Sequence, residues 1–255
     1  MARGEREKRA FEIVKNYLSK NNNKIYFGLF QKDIDELKNI FSNSTPNEKL
    51  SQFPDYIFKN GFIEHFRVTS SQENKKGAKQ FRKENEFFKK VNSEKKVFKD
   101  ETKNINGIEK HWTMKYPEHN YKCFEKSFKS NFENHIKSVN KYIGNKNKGI
   151  FIIEYSDFVL EMYENIYSDW IDYMSNGDMR EPEKLDCYRL TRDKNLLNYV
   201  YSFNQYLKYV IFIYENTRCE IIKLENIPYL LKLLPYDYAI DSKIGTTLIT
   251  SIYKI

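Results

Sequence analysis

Residues 53–69 read FPDYIFKNGFIEHFRVT, with two short apolar runs on either side of Lys59-Asn60-Gly61. Asn-Gly between apolar runs is the strongest short-range signal for a β-hairpin. We place Asn60 and Gly61 at the centre of a two-residue turn, which sets Asp55 opposite Phe66. Because side chains alternate along a strand, Asp55 and Glu64 then share one face as diagonal neighbours, about 7–8 Å apart at the backbone.

The two carboxylates would lie on a face that is otherwise apolar. Such a placement is costly unless a cation, a basic side chain or a raised pKa compensates. One solution is a divalent metal: with a backbone carbonyl, Asp55 and Glu64 suit Mg²⁺ or Mn²⁺ and leave positions for water and a phosphate. Alternatively, Asp55 only caps a turn after Pro54, and Glu64 lies at an exposed sheet edge. His65 points to the opposite face in this register, so we expect a structural role for it.

The order Pro54-Asp55, short strand, Glu64 in an apolar strand resembles the PD-(D/E)XK nuclease superfamily, which has the restriction-endonuclease-like fold. The resemblance covers about residues 31–95. It implies phosphodiester hydrolysis by a metal held on Asp55 and Glu64. The family often adds an acid from the preceding helix, and Glu36 matches that position loosely.

Other residues compete for two positions of the motif. Asp33 and Asp35 are alternatives to Glu36 as the helical acid. Phe66 occupies the place of the motif's lysine, and a phenylalanine can neither orient nor deprotonate water. Lys75 and Lys76, at the start of the next helical region, are the nearest replacements. We favour Lys76 as a catalytic residue, although the choice between the two is nearly even.

The positive charge is concentrated in one part of the chain. The formal net charge is +8, but residues 1–150 hold 32 basic and 19 acidic residues (32 − 19 = +13), which leaves −5 for residues 151–255. A basic portion favours a polyanionic partner, most commonly nucleic acid, and double-stranded DNA is our expectation. A solvated, lysine-rich surface is the alternative. The candidate phosphate-binding residues close to the hairpin are Arg67, Lys79, Arg82 and Lys83.

Helical and strand-like patterns alternate along the chain. This predicts an α/β or α+β protein with a mixed central β-sheet flanked by helices. Residues 1–150 would carry the nuclease-like helix–hairpin–helix core, and residues 151–255 would complete the sheet in the same compact domain. We expect residues 104–121 to form a loop and a helical stretch to extend to about Met174. The expected helices are 4–20, 31–42, 75–99, 124–143, 193–206 and 227–234, and the later strands are 150–155, 209–214 and 218–224.

Several other classes of protein are disfavoured. No apolar run approaches the ~20 residues of a membrane-spanning helix, and the charged N-terminus predicts no secretory signal. Three widely spaced cysteines favour a reducing cytoplasm. The spacing of three histidines and a cysteine does not match common zinc sites. These residues are His111, His119, Cys123 and His135.

The leading interpretation is a metal-dependent DNA endonuclease, for which the resemblance implies a restriction or phage-defence role and allows a homodimer. A second is a non-catalytic nucleic-acid-binding protein with a degenerate nuclease fold, favoured by Phe66. A third is a protein-interaction subunit whose acidic portion binds a basic partner.

Overall fold

The computed structural model describes ten segments of the chain: residues 4–20, 29–48, 52–71, 77–103, 105–115, 118–155, 157–166, 182–215, 218–245 and 247–254. Within them lie six helices: α1 (Glu5–Lys20), α2 (Gln31–Asn43), α3 (Gly77–Glu101), α4 (Tyr121–Lys141), α5 (Lys194–Tyr201) and α6 (Ile227–Leu233). The strands are β1 (Thr45–Pro46), β2 (Tyr56–Phe58), β3 (Gly61–Val68), β4 (Ile108–Lys115), β5 (Lys148–Tyr155), β6 (Leu160–Asn165), β7 (Lys184–Leu185), β8 (Tyr209–Tyr214), β9 (Arg218–Lys223), β10 (Asp237–Ser242) and β11 (Thr247–Lys254).

A mixed sheet of six strands, in the order β1-β2-β3-β5-β8-β9, forms the centre of the fold. β3, β5 and β8 run parallel to one another, and the outer strands pair antiparallel. The central strands are almost continuously apolar because both of their faces are covered. The sequence-based fold class, a mixed central sheet flanked by helices, is confirmed.

Different helices cover the two faces of the sheet. On one face, α4 packs together with α5 and α6 around a core rich in phenylalanine. On the other face, α1 and α2 pack on Ile63, Ile150 and Ile211. Within the described segments, no helix is long and apolar enough to cross a bilayer.

The apolar stripe of α4 is buried as its spacing predicts. Its buried members follow one another at intervals of three or four residues: Phe124, Phe128, Phe132, Ile136 and Val139. The helix predicted over residues 124–143 extends too far, because α4 ends at Lys141 and Ile143 is 100% exposed.

Two further expectations fail because local sequence does not reveal long-range strand pairing. The predicted loop at 104–121 contains β4, which pairs with β11 at the far end of the chain. The predicted helical stretch after β5 begins instead with β6, which pairs with β10 and β7. The rest of that prediction, residues 167–174, lies outside the described residues.

Candidate active site

The β2–β3 hairpin has a register different from the predicted one. Phe58 pairs with Gly61 and Ile57 with Phe62, so the two-residue turn consists of Lys59 and Asn60. Gly61 is instead the first residue of β3, because a Cβ there would lie only 2.1 Å from the carbonyl oxygen of Lys148 on β5. The glycine allows two parallel strands to approach closely and does not shape the turn. The predicted side-chain faces survive, since the pairing moves by two residues.

The corrected register brings Asp55 and Glu64 closer than predicted, directly across the hairpin. The backbone N–H of Asp55 donates to Oε2 of Glu64 at 3.0 Å. The N–H of His65 donates to Oδ2 of Asp55 at 2.7 Å. Glu64 is 7% exposed. Each carboxylate is therefore fixed by a backbone N–H of the opposite side of the hairpin, at the point where β2 begins.

His135 of α4 completes this cluster. Its Nδ1 lies 2.8 Å from Oε1 of Glu64. Its ring stacks on Phe66, with centroids 4.5 Å apart and planes inclined by 12°. Phe66, at the position of the motif's lysine, thus supports a basic side chain that comes from a helix.

Sequence reasoning missed His135 because it considered this residue only as a zinc ligand. One signal was available: His135 lies three residues after Phe132 and one before Ile136, so it borders the buried stripe of α4. A polar residue in that position must face the sheet near the strand on which the stripe packs.

His65 and Arg67 point to the other face of the sheet. Nε2 of His65 lies 3.1 Å from Oε2 of Glu154 on β5, and Nε of Arg67 lies 3.6 Å from the same oxygen. Arg9 of α1 approaches Oε1 of Glu154 at 3.9 Å. Burial raises the pKa of Glu154, but these basic partners outweigh it and the net pKa is lowered. Arg67, predicted to contact phosphate, therefore takes part in an ion-pair network away from Asp55 and Glu64.

Glu36 also lies apart from the carboxylate pair. It belongs to α2, which packs on the face opposite to Glu64. Its carboxylate accepts hydrogen bonds from Lys148 Nζ at 2.5 Å, Lys208 Nζ at 2.6 Å and Tyr209 OH at 3.0 Å. Burial raises the pKa of Glu36, but these bonds outweigh it and lower the pKa to about 2.

The competing acids of α2 do not join the pair either. Asp33 is buried, and its Oδ1 lies 2.9 Å from Nζ of Lys223 on β9. Asp35 is exposed and accepts a hydrogen bond from Gln31 at 2.9 Å. The structure thus brings together Asp55 and Glu64 and places all three α2 acids elsewhere.

The predicted lysines are only partly described. Lys75 and Lys76 lie outside the described residues, as do the side chains of Lys79 and Arg82. Lys83 is exposed on α3, which follows this part of the chain.

A second polar cluster lies where β3 and β5 end. Ser70 Oγ is 2.8 Å from Nδ1 of His119, 3.0 Å from Tyr155 OH and 3.2 Å from Oδ2 of Asp157. A Ser-His-Asp triad needs the imidazole between the hydroxyl and the carboxylate, bonded through its two nitrogens. Here Asp157 and Ser70 approach the same nitrogen, and Ser70 is fully buried.

This cluster fixes the entry to α4. The N–H of Asn120, the N-cap of α4, donates to the carbonyl of Ser70 at 3.0 Å. Ser127 Oγ accepts from the N–H of Thr69 at 3.2 Å. These contacts tie the helix to the end of β3 and so help to place His135 over Glu64.

The donor set at Asp55 and Glu64 is small. Within the described segments, no three His, Cys, Asp or Glu side chains are grouped so as to hold a metal ion by themselves. Mg²⁺, however, is usually bound by one or two carboxylates together with water and substrate phosphates. The two carboxylates supply oxygen ligands of the type that Mg²⁺ prefers, so the chemistry of the pair fits this kind of site.

Comparisons of the chain with protein-family models, with curated proteins and with solved structures found no match. The fold defines an α+β protein with a six-stranded mixed sheet.

Proposed function

We propose that this protein is a metal-dependent nuclease that hydrolyses phosphodiester bonds, with double-stranded DNA as its substrate. The observation that carries the proposal is the pairing of Asp55 with Glu64 across the hairpin, with His135 against the second carboxylate. A carboxylate pair with one buried member, beside a basic side chain, is an arrangement typical of sites that bind a cation or move a proton.

Asp55 and Glu64 would hold Mg²⁺ or Mn²⁺. When bound, the metal supplies an activated water and stabilises negative charge on the phosphate. The chain's own groups have separate tasks. The N–H groups of Asp55 and His65 fix the carboxylates, and the ring of Phe66 fixes the plane of His135. His135 Nδ1 is placed to exchange a proton at Oε1 of Glu64.

The lysine of the resembled motif has two candidate replacements. One is His135, whose imidazole lies over Phe66. The other is Lys76 or Lys75, which lie outside the described residues and directly before α3. The two are compatible, since a lysine can position a phosphate while the imidazole contacts Glu64.

The basic portion of the chain supports a nucleic-acid substrate. Its balance of +13 supplies the positive charge that a polyanion needs, and α3 carries many of the lysines. A role in restriction or phage defence in the cytoplasm, and action as a homodimer that cuts both strands, follow from the resemblance alone.

Cleavage of several substrates tests the proposal. Supercoiled plasmid, linear duplex, single-stranded DNA and RNA are incubated with the protein in Mg²⁺, Mn²⁺ or EDTA. We expect metal-dependent nicking or linearisation of the plasmid that EDTA abolishes. Absence of cleavage of all four substrates in either metal would reject the nuclease assignment.

The second candidate function is nucleic-acid binding without cleavage. Phe66 in the lysine's place favours it, and so do the hydrogen bonds already made by both carboxylates. Salt-sensitive DNA binding by a protein that cuts no substrate would establish this alternative.

A further inference from the structure

A cavity of about 540 Å³ lies beside β9, the last strand in the order of the central sheet. It is bordered by α6 and by the short 3₁₀ turn Leu190–Arg192. Its volume is within the range of pockets that hold small ligands. Three strand spacings, about 15 Å in all, separate β9 from β3, so this cavity is distinct from the Asp55–Glu64 site.

One wall of the cavity is apolar. Leu230 and Leu234 of the α6 region are buried, and Ile221 of β9 lies beside them. Leu233 also lines the cavity but is 57% exposed. When a ligand covers an exposed apolar side chain at a pocket, the burial of apolar surface favours binding.

The other wall carries three arginines, Arg189, Arg192 and Arg218. The guanidinium of Arg189 is held in place: its Nε donates to Oε1 of Glu220 at 2.7 Å, and its Cζ lies 4.5 Å from the ring centroid of Tyr214. In the described part of the chain, its Nη groups have no hydrogen-bond acceptor. Those donors form a fixed fork, which suits the paired oxygens of a carboxylate or phosphate.

Each of the three arginines has an acidic partner: Arg189 pairs with Glu220, Arg192 with Glu183 and Arg218 with Glu215. Glu220 is buried and already accepts bonds from Arg189, from the N–H of Thr191 and from the Thr191 hydroxyl. Glu183 accepts a short hydrogen bond from Tyr238 OH, and Arg192 Nη2 remains 3.7 Å from it, beyond hydrogen-bond distance. Arg218 Nη1 lies 3.3 Å from Oε2 of Glu215, so the guanidinium groups left to hold a ligand are those of Arg189 and Arg192, whose carboxylate partners also bind other donors.

We infer that this cavity binds a small organic anion, with a phosphate or carboxylate head on Arg189 and Arg192 and an apolar body against the leucines of α6. The two features select a ligand with two parts, because guanidinium groups bind an anionic head and Leu233 offers apolar surface to a hydrocarbon body. The inference does not depend on the nuclease proposal.

Calorimetric titration with matched probes tests the inference. Hexyl phosphate and hexanoate carry both features, 1-hexanol lacks the charge, and inorganic phosphate lacks the apolar body. We expect saturable binding of hexyl phosphate or hexanoate, at least tenfold tighter than of either incomplete probe. The tighter of the two identifies the preferred head group.

Two variants locate the binding. Arg192→Gln should weaken the preferred probe about tenfold, the effect of losing one charge-assisted contact, and Leu233→Asn should also weaken it. Lys232→Gln removes the same charge from an exposed neighbour on α6 that does not line the cavity, and should leave binding unchanged. No saturable binding at millimolar concentrations, equal binding of 1-hexanol, or equal effects of Arg192→Gln and Lys232→Gln would overturn the inference.

Discussion

At the scale of single residues, Glu64 and Glu36 show two different ways in which a carboxylate is held by its neighbours. Glu64 accepts a hydrogen bond from one backbone N–H and contacts one imidazole. Glu36 is bound by two ammonium groups and a tyrosine hydroxyl. A carboxylate held by two lysines is committed to its charged form, so we assign Glu36 to stability.

The pKa of Glu36 predicts a specific dependence of stability on pH. A pKa of about 2 in the folded protein lies below the ordinary value of 4.5, so protonation favours unfolding. The stabilisation from Glu36 is complete above pH 4.5 and is lost as the pH falls towards 2. We expect urea denaturation of Glu36→Gln, which cannot ionise, to show a smaller loss of stability over this window than the wild type.

A neighbouring acid of α2 is the control for this experiment. Asp35→Asn alters an exposed carboxylate on the same helix and should follow the wild-type profile. Parallel pH profiles for Glu36→Gln and the wild type would contradict the stabilising role of Glu36.

Gly61 gives a second prediction at this scale. An added Cβ would meet the Lys148 carbonyl at 2.1 Å, and this backbone atom can retreat only if β5 shifts. We expect Gly61→Ala to lower the free energy of unfolding by about 2–3 kcal/mol. Gly245→Ala, where no atom lies within 4 Å of the new Cβ, should change it by less than about 0.5 kcal/mol. Equal effects in thermal or urea unfolding would refute the close approach of β3 and β5.

At the scale of elements, α4 links the core to the candidate site. Phe132 contacts rings on two strands and on the α5 segment: its centroid is 6.2 Å from Phe66, 5.2 Å from Phe151 and 5.1 Å from Phe203. The same helix carries His135 one turn later. Packing of the stripe therefore sets the position of the imidazole over Glu64.

Removing this anchor should destabilise the protein strongly. Phe132 is fully buried, so we expect Phe132→Ala to lower the free energy of unfolding by about 3–5 kcal/mol, measured by urea denaturation. Phe88→Ala changes a residue on α3 that is 44% exposed, and its effect should be much smaller, about 1 kcal/mol or less. A small effect at Phe132 would mean that α4 does not hold the core together.

Local patterns predicted the elements whose buried residues form a continuous apolar run or a regular apolar stripe in the sequence. β5 and β8 are continuous apolar runs, and α4 has a regular stripe, so each could be recognised by itself. β4 and β6 alternate less and more exposed residues along their length, a period-two pattern typical of a half-buried strand, so a local signal for each strand was present. Their pairing could not be predicted, because both partner strands lie close to the C-terminus.

The candidate site likewise combines residues that the sequence could predict with one that it could not. Asp55 and Glu64 are nine residues apart, so hairpin geometry placed them on one face. His135 comes from a helix about 70 residues further on, and no spacing rule connects it to Glu64. The turn was misplaced by one residue because the glycine of Asn-Gly is required by β5, which lies 87 residues away at Lys148.

At the scale of the whole molecule, the uneven charge predicts how DNA binding depends on salt. If the basic portion contacts phosphates, affinity falls steeply as salt rises, because each contact releases counterions. Lys89 and Lys96 are exposed and lie two turns apart on α3. We expect replacement of both by glutamine to weaken DNA binding and to reduce the slope of log affinity against log salt by about 1–2.

The same charge change in the acidic portion serves as the control. Lys232 and Lys243 are exposed in residues 151–255, and their double replacement by glutamine should leave the slope unchanged. The readout is fluorescence anisotropy of a labelled duplex between about 50 and 200 mM salt. Equal slopes for both double variants would place the nucleic-acid surface elsewhere.

The cleavage rate of one labelled DNA duplex by matched variants is the most direct measurement of the proposed function. Wild type, Asp55→Asn, Glu64→Gln and the control Asp35→Asn are compared in Mg²⁺ at equal concentration, after circular dichroism has established that each is folded. We predict that Asp55→Asn and Glu64→Gln each lower the rate at least about 100-fold, as loss of a group that acts in the transition state does, while Asp35→Asn cleaves like the wild type. Cleavage by folded Asp55→Asn and Glu64→Gln at the wild-type rate would contradict the account.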